Sequence, residues 1–286
     1  MEQQAKAERF RELHRGPRIL VLPNAWDAGS ARLFEEAGFP AIGTTSAGIA
    51  ASHGYPDGQR ISRARMLEAV ERIAGAVSVP VTADMEAGFG STVEQVVETV
   101  KGVLGAGAVG INIEDAPVDA AGVLVEEAFQ VGLIRAIRKA APWLVINART
   151  DVYLKQIGEP GSRFEHAVRR ANAYREAGAD CLFMPGVRDA ETIGRLVREI
   201  HGPINVLAGP GVPPAPDLER LGVARVSVGS GPMRATLGLV RRIARELREA
   251  GTYTAFTEGA VPYAEMNRML EMRLPPDASV ADGHEL

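Results

Sequence analysis

Cysteine, lysine and histidine are scarce in this sequence, and each shortage argues against a class of chemistry. The single cysteine, Cys181, rules out an intrachain disulfide. With no apolar leader in the polar first fourteen residues, it favours a reducing, cytoplasmic compartment. Only Lys155 of the four lysines falls near a predicted strand end, which disfavours a Schiff-base aldolase. The five histidines show no ligand spacing, which disfavours a zinc aldolase.

Long apolar runs and an excess of charge of one sign are missing as well. No apolar stretch approaches the roughly 20 residues that a membrane span needs, so no membrane partner is expected. The 32 basic and 36 acidic residues are well mixed and give a net charge of −4, which leaves no basic stripe for nucleic acid. These observations predict a globular protein that acts on a small molecule.

The sequence does contain a repeated alternation of short apolar runs with longer amphipathic stretches. Strands that are apolar on both faces, each followed by a helix, indicate a parallel sheet covered by helices. Eight even units, with no glycine-rich dinucleotide motif after the first, favour a closed (β/α)₈ barrel over an open doubly wound sheet. The predicted strands are residues 19–22, 41–45, 79–83, 109–113, 144–148, 181–184, 204–207 and 226–228.

We expect one domain over residues 1–274, with additional C-terminal helices, and a disordered tail over residues 275–286. A helix predicted over residues 263–273 would pack on the barrel or on a neighbouring subunit. Four glycines, at positions 38, 107, 178 and 251, follow predicted helices where a left-handed residue commonly ends a helix.

Catalytic groups of such a barrel lie at the carboxyl ends of its strands. Asp84, Glu86 and Glu114 close two consecutive predicted strands, and two such charges about 5 Å apart repel by roughly 3 kcal/mol at an effective dielectric constant near 20. Protonation of one acid or a bound cation would relieve this repulsion, and all-oxygen ligands favour Mg²⁺, or Mn²⁺, over zinc. The alternative, which would prevail for a lone acid, is that these side chains cap helices or pair with arginines.

The last three predicted strands end differently from the first five. They are followed by small residues, in the segments MPG, LAGPG and VGSGPMR, whereas the earlier strands end in charged or hydroxyl side chains. Small residues there are typical of a pocket wall or of an anion-binding nest.

Four segments resemble the isocitrate lyase/phosphoenolpyruvate mutase superfamily. They read TTSAGIAASHGYPDG, ADMEAGFG, GINIEDA and INARTD, and the resemblance runs in the superfamily's order from about residue 20 to residue 229. It implies a (β/α)₈ barrel, often with its last helix exchanged between subunits. It also implies a homo-oligomer, usually a tetramer built as a dimer of dimers.

The resemblance implies a Mg²⁺ site by position. Asp84 is similar to the acid that contacts Mg²⁺ directly, and Asp57, Glu86 and Glu114 are similar to the acids that hold its water ligands. Glu86 stands where many members have aspartate, and this longer side chain would shift the metal slightly.

The resemblance also implies a carboxylate site. Ser46 and the backbone amides of Ala47 and Gly48 resemble the cradle for the substrate carboxylate. Arg149 resembles the arginine that pairs with that carboxylate or with the oxygen that becomes an enolate. Asp57, or an ordered water, is expected to manage the proton.

One segment departs from the superfamily's best-known branches. After Glu114 the chain reads DAPVDAAGVLVEEAF, without the KxCGH-type loop of isocitrate and methylisocitrate lyases. The lysine and asparagine usual in the phosphonate branch are absent too. The segment therefore argues against isocitrate-type cleavage and against phosphorus–carbon chemistry. Residues 116–124 are rich in small side chains and are a candidate lid.

The remaining hypothesis is a Mg²⁺-dependent lyase that acts on a small 2-oxo acid. Decarboxylation of oxaloacetate through an enolate at the metal is its leading form, because solvent can supply the proton that the missing cysteine would give. Several alternatives stay open: a carbon–carbon lyase acting on a substituted malate, phosphonopyruvate or phosphoenolpyruvate chemistry with a different loop, a phosphate-handling barrel, and a non-catalytic 2-oxo acid binder.

Overall fold

A computed structural model describes residues 2–117 and 122–271. The predicted tail at 275–286 and the centre of the candidate lid lie outside the described residues. The strands are β1 Leu20–Leu22, β2 Asn24–Ala25, β3 Ile42–Thr44, β4 Val81–Asp84, β5 Gly110–Glu114, β6 Val145–Arg149, β7 Cys181–Phe183, β8 Ile204–Leu207 and β9 Arg225–Ser227. The helices are α1 Glu2–Leu13, α2 Ala28–Glu36, α3 Ser46–Ser52, α4 Arg63–Ala76, α5 Val93–Gly105, α6 Glu127–Ala140, α7 Arg163–Glu176, α8 Ala190–Glu199, α9 Ala215–Leu221, α10 Gly231–Glu249, α11 Thr254–Thr257 and α12 Tyr263–Glu271, with a 3₁₀ turn at Pro160–Ser162.

The strands form one parallel sheet in the order β1-β9-β8-β7-β6-β5-β4-β3-β2. Because β1 and β2 are consecutive along the chain and separated only by Pro23, the two edges of this sheet belong to the same stretch of chain. β1 pairs with β9 and β2 pairs with β3. Asn24 bridges the two edges, since its Oδ1 accepts from the amides of Val228 (3.0 Å) and Gly229 (2.9 Å). The predicted (β/α)₈ barrel is confirmed.

The helices and strands end at the kinds of residue that the sequence predicts. Gly38, Gly107, Gly178 and Gly251 all adopt positive φ, between +66° and +114°, directly after helices. The polar residues Asp84, Glu114 and Arg149 are the last residues of their strands rather than the first residues of loops. Their backbones are therefore fixed by the sheet.

Helix α1 packs across the amino-terminal end of the barrel. Its Phe10 and Ala7 are fully buried in a cluster with Leu20, Leu22, Ala41, Val109 and Val145. The packing at this end is close, since a Cβ on Gly110 would lie only 3.0 Å from the Phe10 ring. The barrel is therefore closed at this end, and access to its interior is from the carboxyl ends of the strands.

Helices α10 and α12 carry apolar side chains that the chain itself does not cover. Along α10 only Met233 is buried, and Leu237, Val240 and Leu247 are exposed. In contrast, α12 is attached to the barrel, because Nε and Nη2 of Arg32 donate to the carbonyl oxygen of Met269 (3.1 and 2.8 Å). Exchange of the last barrel helix between subunits and the tetramer stay predictions. No helix in the described part of the chain is long and apolar enough to cross a membrane.

Candidate active site

Asp84 is the most heavily hydrogen-bonded acid at the mouth of the barrel. Its Oδ2 accepts from the amide (3.1 Å) and the hydroxyl (2.8 Å) of Ser46, at the start of α3. Its Oδ1 accepts from Nδ2 of Asn112 (2.7 Å), and its own amide donates to Oγ1 of Thr44 (2.9 Å). These contacts come from β3, α3 and β5 and hold the carboxylate in one orientation at the centre of the mouth.

Two asparagines inside the barrel extend this network. They lie within their strands and are not predicted from the polar residues at strand ends. Nδ2 of Asn147 donates to Oδ1 of Asn112 (2.8 Å), which orients the Asn112 amide so that it donates to Asp84. Both residues interrupt otherwise apolar strands, in GINIE and VINAR. Because residues two apart along a strand share a face, Asn112 and Asn147 lie on the same face as Glu114 and Arg149, and this signal could have revealed the pair.

Glu86 lies beyond the end of β4 in an unusual backbone conformation. Its φ is +51°, in the left-handed region that costs a non-glycine residue about 1–2 kcal/mol. The residue is 5% exposed, Oε2 accepts from the amide of Gln59 (2.8 Å), and Oε1 is buried with no partner among the described residues. Burial, with the charges of Asp57 and Asp84, raises its pKa to about 8.

Asp57 lines the cavity from the turn that follows α3. Desolvation first, and then the negative charge of Asp84, raises the pKa of its carboxyl, although the amide of Gly58 and the cations Arg149 and Lys155 oppose the rise. The charge of Asp84 thus acts on both Asp57 and Glu86, and the role of these two acids at a metal ion stays a prediction.

Glu114 and Arg149 end the neighbouring strands β5 and β6 and are direct register partners. Nη1 of Arg149 lies 2.7 Å from Oε2 of Glu114, and Nε and Nη2 donate to the two oxygens of Asp151 (2.6 and 2.9 Å). Burial raises the pKa of Glu114 against the opposing charge of Arg149, and the two carboxylates raise the pKa of Arg149. Arg149 is thus held by three contacts, and two of them come from Asp151, a polar residue that closes the same predicted strand region.

A buried cluster of polar side chains around Asp115 supports the contact between Asp151 and Arg149. Oδ1 of Asp115 accepts from the amide of Asp151 (3.0 Å), and Oδ2 accepts from Tyr174 (2.7 Å) and Arg170 (3.1 Å). Asp115 is fully buried. It supports Arg149 through Asp151 and through its own amide, which donates to the carbonyl oxygen of Arg149 (3.2 Å), and it is not among the residues that line the cavity.

The structure places Ser46, Ala47 and Gly48 in the first turn of α3, with differing environments. Ser46 and Ala47 line the cavity. The amide of Gly48 donates to Oγ1 of its N-cap residue Thr45 (3.3 Å), and a Cβ at Gly48 would lie 2.9 Å from Cβ of Trp26. Packing therefore requires glycine at position 48 independently of any ligand, and the predicted carboxylate cradle stays a prediction.

A cavity of about 200 Å³ at the mouth of the barrel is lined by Ser46, Asp57, Asp84, Asn112 and Arg149. One side is formed by β3 to β6 and contains Asp84 and Arg149. The other side is formed by β7 to β9 and by the small residues after them. The residues lining this second side, together with Asn24, are Leu154, Phe183, Pro185, Leu207, Arg225, Ser227, Gly229 and Ser230.

The carboxylate side of the cavity suits a hard divalent cation bound partly through water. Asp84 faces the cavity, and Asp57, Glu86 and Glu114 each have a pKa raised in part by its charge. Among the described residues no three acid, histidine or cysteine side chains converge to ligate one ion directly. One direct carboxylate with outer acids, the arrangement that the resemblance implies, agrees with this geometry and with an oxygen-only donor set. The buried, unpartnered Oε1 of Glu86 is available as an acceptor for such a water.

A closed parallel barrel with clustered acids and an arginine at its carboxyl-end mouth has the architecture of a barrel enzyme. Residues 10–248 match the family described as phosphoenolpyruvate phosphomutase. The chain belongs to this family, within the isocitrate lyase/phosphoenolpyruvate mutase superfamily.

Proteins with several described activities are similar in sequence to this chain. An uncharacterized protein of Mycobacterium tuberculosis (strain ATCC 25618 / H37Rv) is 37% identical over 91% of this chain and 95% of its own length. A 2-methylisocitrate lyase of Halalkalibacterium halodurans is 32% identical over 71% of this chain and 67% of its own length. An oxaloacetate decarboxylase of Bradyrhizobium diazoefficiens is 29% identical over 86% of both chains.

Solved structures agree with the fold. A protein of Burkholderia cenocepacia J2315, whose description as a lyase/mutase is itself provisional, is 41% identical with a TM-score of 0.87 over 94% of this chain and 97% of that one. A phosphonopyruvate hydrolase in complex with oxalate and Mg²⁺ is 28% identical, with a TM-score of 0.83 over 93% and 95% of the two chains. An enzyme acting on a small organic acid is the class that these relatives define.

Proposed function

We propose that this protein is a Mg²⁺-dependent lyase that decarboxylates a small 2-oxo acid, with oxaloacetate as its leading substrate. The observation that carries this proposal is the pairing across one cavity of an oriented carboxylate, Asp84, with an oriented guanidinium, Arg149. A 2-oxo acid head group has the complementary polarity, since it can chelate a cation through two oxygens and accept hydrogen bonds from an arginine.

In the proposed reaction the bond between the methylene carbon and the distal carboxylate breaks, and its electron pair moves toward the ketone oxygen. Mg²⁺, when bound near Asp84, supplies the Lewis acid that polarises this ketone. Arg149 stabilises the developing negative charge, and Asp151 and Glu114 hold its guanidinium in a fixed plane so that little reorganisation is needed. Carbon dioxide leaves, and a proton is then added to the methylene carbon.

Asp57 is suited to manage that proton. It lines the cavity, and desolvation together with Asp84 raises its pKa, so the carboxyl binds a proton more readily than a solvated aspartate does. The oxaloacetate decarboxylase from Bradyrhizobium diazoefficiens and the structure that contains oxalate and Mg²⁺ support this choice of substrate class and metal.

Carbon–carbon cleavage of a substituted malate is the second candidate. The 2-methylisocitrate lyase among the relatives favours it. Such a reaction needs a base for the substrate hydroxyl, and Asp57 lies on the cavity wall where it could serve. The two candidates differ in one respect, because decarboxylation with solvent protonation tolerates Asp57→Asn better than hydroxyl deprotonation does.

The test is release of CO₂ and pyruvate from oxaloacetate, with Mg²⁺ or with EDTA, after subtraction of the rate given by Mg²⁺ alone. We expect metal-dependent turnover that falls by about a thousandfold or more in Asp84→Ala, since the oriented carboxylate is lost. Asp217→Ala is the control, because this half-buried residue on α9 pairs with Arg220 and is not among the residues that line the cavity. Full turnover in Asp84→Ala would refute the assignment, and Mg²⁺-dependent binding without turnover would favour substituted malates or a non-catalytic binder.

The remaining proposals concern the setting of the enzyme. A homo-oligomer built through the exposed apolar face of α10 fits the uncovered side chains described above. A cytoplasmic location fits the single, buried thiol.

A further inference from the structure

Arg225 is a buried cation at the inner end of the cavity. It begins β9, is 2% exposed, and contributes to the lining. Its Nε donates to Oγ of Ser227 (3.0 Å), and its guanidinium carbon lies 5.9 Å from the centroid of the Phe10 ring. Within residues 2–117 and 122–271, Nη1 is buried without a hydrogen-bond partner and no carboxylate forms a salt bridge with the side chain.

This charge persists at neutral pH. Burial lowers the pKa of Arg225 to about 10, while Cys181 and Asp84 oppose the fall. The group is therefore protonated in the physiological range. A buried cation without a counter-ion is unfavourable, and the face of one phenylalanine ring compensates only part of the lost hydration.

Asn205 adds a second unused donor beside Arg225. The two residues are register partners on the adjacent strands β8 and β9. Oδ1 of Asn205 accepts from the hydroxyl of Ser227 (3.2 Å). Nδ2 is buried and has no partner in the described part of the chain. Two neighbouring N–H groups, one of them charged, form a donor set that complements a carboxylate.

Arg149 has far less capacity left for an anion. Its Nε, Nη1 and Nη2 all contact oxygens of Glu114 or Asp151. Arg225 is thus the arginine of the cavity whose terminal nitrogen is not already committed to the protein. Asp84 lines the same cavity as Arg225, and its charge acts on the pKa of Arg225, so the two groups border one ligand-accessible space.

We propose that Arg225 and Asn205 form a second carboxylate-binding subsite, which makes the cavity select a small dicarboxylate over a monocarboxylate of the same length. The inference deepens the proposed function and rests on it only in placing the 2-oxo-acid head of the ligand near Asp84 and Arg149. The distal carboxylate of the substrate then lies at the inner end of the barrel.

The experiment compares the binding of malate with that of 2-hydroxybutyrate by calorimetry, using both enantiomers of each, with Mg²⁺ and in a chloride-free buffer. The two acids share a 2-hydroxy acid head and a four-carbon chain and differ only in a terminal carboxylate or methyl group. Neither is a β-oxo acid, so the readout is binding alone. We expect the wild type to bind malate at least about tenfold more tightly, a ratio typical of one charge-assisted contact.

The decisive variants change the charge at the subsite. Arg225→Met keeps a long apolar side chain and should lower the ratio of the affinity for malate to that for 2-hydroxybutyrate to about one. Arg225→Lys should restore part of this preference. Asn205→Asp places a carboxylate beside Arg225 and should also abolish the preference, which keeps the test decisive if Arg225→Met does not fold. A ratio unchanged in the folded variants, or a wild type that binds malate no better than 2-hydroxybutyrate, overturns the subsite.

The outcome is separable from that of the proposed function. An Arg225-dependent preference for malate without oxaloacetate turnover would refute decarboxylation and support the subsite. Turnover of oxaloacetate with an unchanged KM in Arg225→Met would support decarboxylation and overturn the subsite.

Discussion

The two sides of the cavity are built on different principles. On the side formed by β3 to β6, the ionisable groups are held by other parts of the protein, as Asp84 is by Ser46 and Asn112. On the side formed by β7 to β9, the strands end in small residues, and two buried N–H donors, Nη1 of Arg225 and Nδ2 of Asn205, lack partners in the described part of the chain. The first side also keeps unpartnered acceptor oxygens there, Oε1 of Glu86 and Oδ1 of Asn147, so it has capacity left for a cation or a donor, whereas the second side has N–H groups left for an anion.

This difference separates two ways of using a buried arginine. Arg149 lies between two carboxylates that raise its pKa, so its charge is neutralised locally and its orientation is fixed. Arg225 faces a hydroxyl and an aromatic ring, and burial lowers its pKa. A positioned arginine suits the stabilisation of a developing charge, and an unpaired one suits the binding of a charge already present.

Removal of Asp115 should give the largest loss of stability on the side formed by β3 to β6. Asp115→Ala leaves Arg170 and Tyr174 buried without their shared acceptor, and it frees Asp151. We expect the free energy of unfolding to fall by about 3–5 kcal/mol, as for other broken buried ion pairs, measured by urea denaturation at neutral pH. Asp115→Asn is the matched variant, and it should cost less because it keeps an acceptor oxygen. A loss below about 1 kcal/mol in Asp115→Ala would show that the support behind Arg149 is unimportant.

The pH dependence of stability should reveal Glu86. Its pKa is about 8 in the folded chain against 4.5 for the unperturbed group, so between these values the folded state binds more protons than the unfolded state. The free energy of unfolding of the metal-free protein therefore falls as pH rises from about 5 to 8, by on the order of 3 kcal/mol from this group.

Glu86→Gln should remove that part of the pH dependence and stabilise the metal-free protein at pH 8. The comparison of wild type and variant isolates Glu86 from Asp57 and Glu114, whose raised pKa values act in the same direction. Mg²⁺ should stabilise the wild type more at pH 8 than at pH 6, because binding competes with protons. Parallel stability curves for the two proteins between pH 5 and 8 would contradict this account.

More of the side formed by β3 to β6 could be predicted from the sequence than of the side formed by β7 to β9. A polar residue that closes an apolar run reports a strand end, and parallel pairing brings neighbouring ends together, which is why Asp84 and Glu114 were found. The bidentate contact of Asp151 with Arg149 could not be found in this way, because Asp151 follows the end of β6 by two residues and strand pairing does not fix the direction of its side chain. Arg225 was missed for a different reason: it begins its strand, and its side chain is part of the site only because the cavity extends down the barrel.

The smallest expected effect is a difference in unfolding free energy between alanine variants of two inward-facing asparagines, Asn112 and Asn205. Asn112→Ala removes the donor to Asp84 and the acceptor of Asn147, and it should cost about 1–3 kcal/mol of unfolding free energy because buried groups lose their partners. Asn205→Ala removes an amide whose Nδ2 has no partner in the described structure and whose Oδ1 accepts one long hydrogen bond (3.2 Å). Without ligand it should cost less than about 1 kcal/mol. Urea denaturation of both variants without ligand measures the difference, and equal losses would mean that the two sides of the cavity are organised alike. If the difference holds, it should shrink when saturating malate is added, because ligand then uses the amide that the protein leaves free.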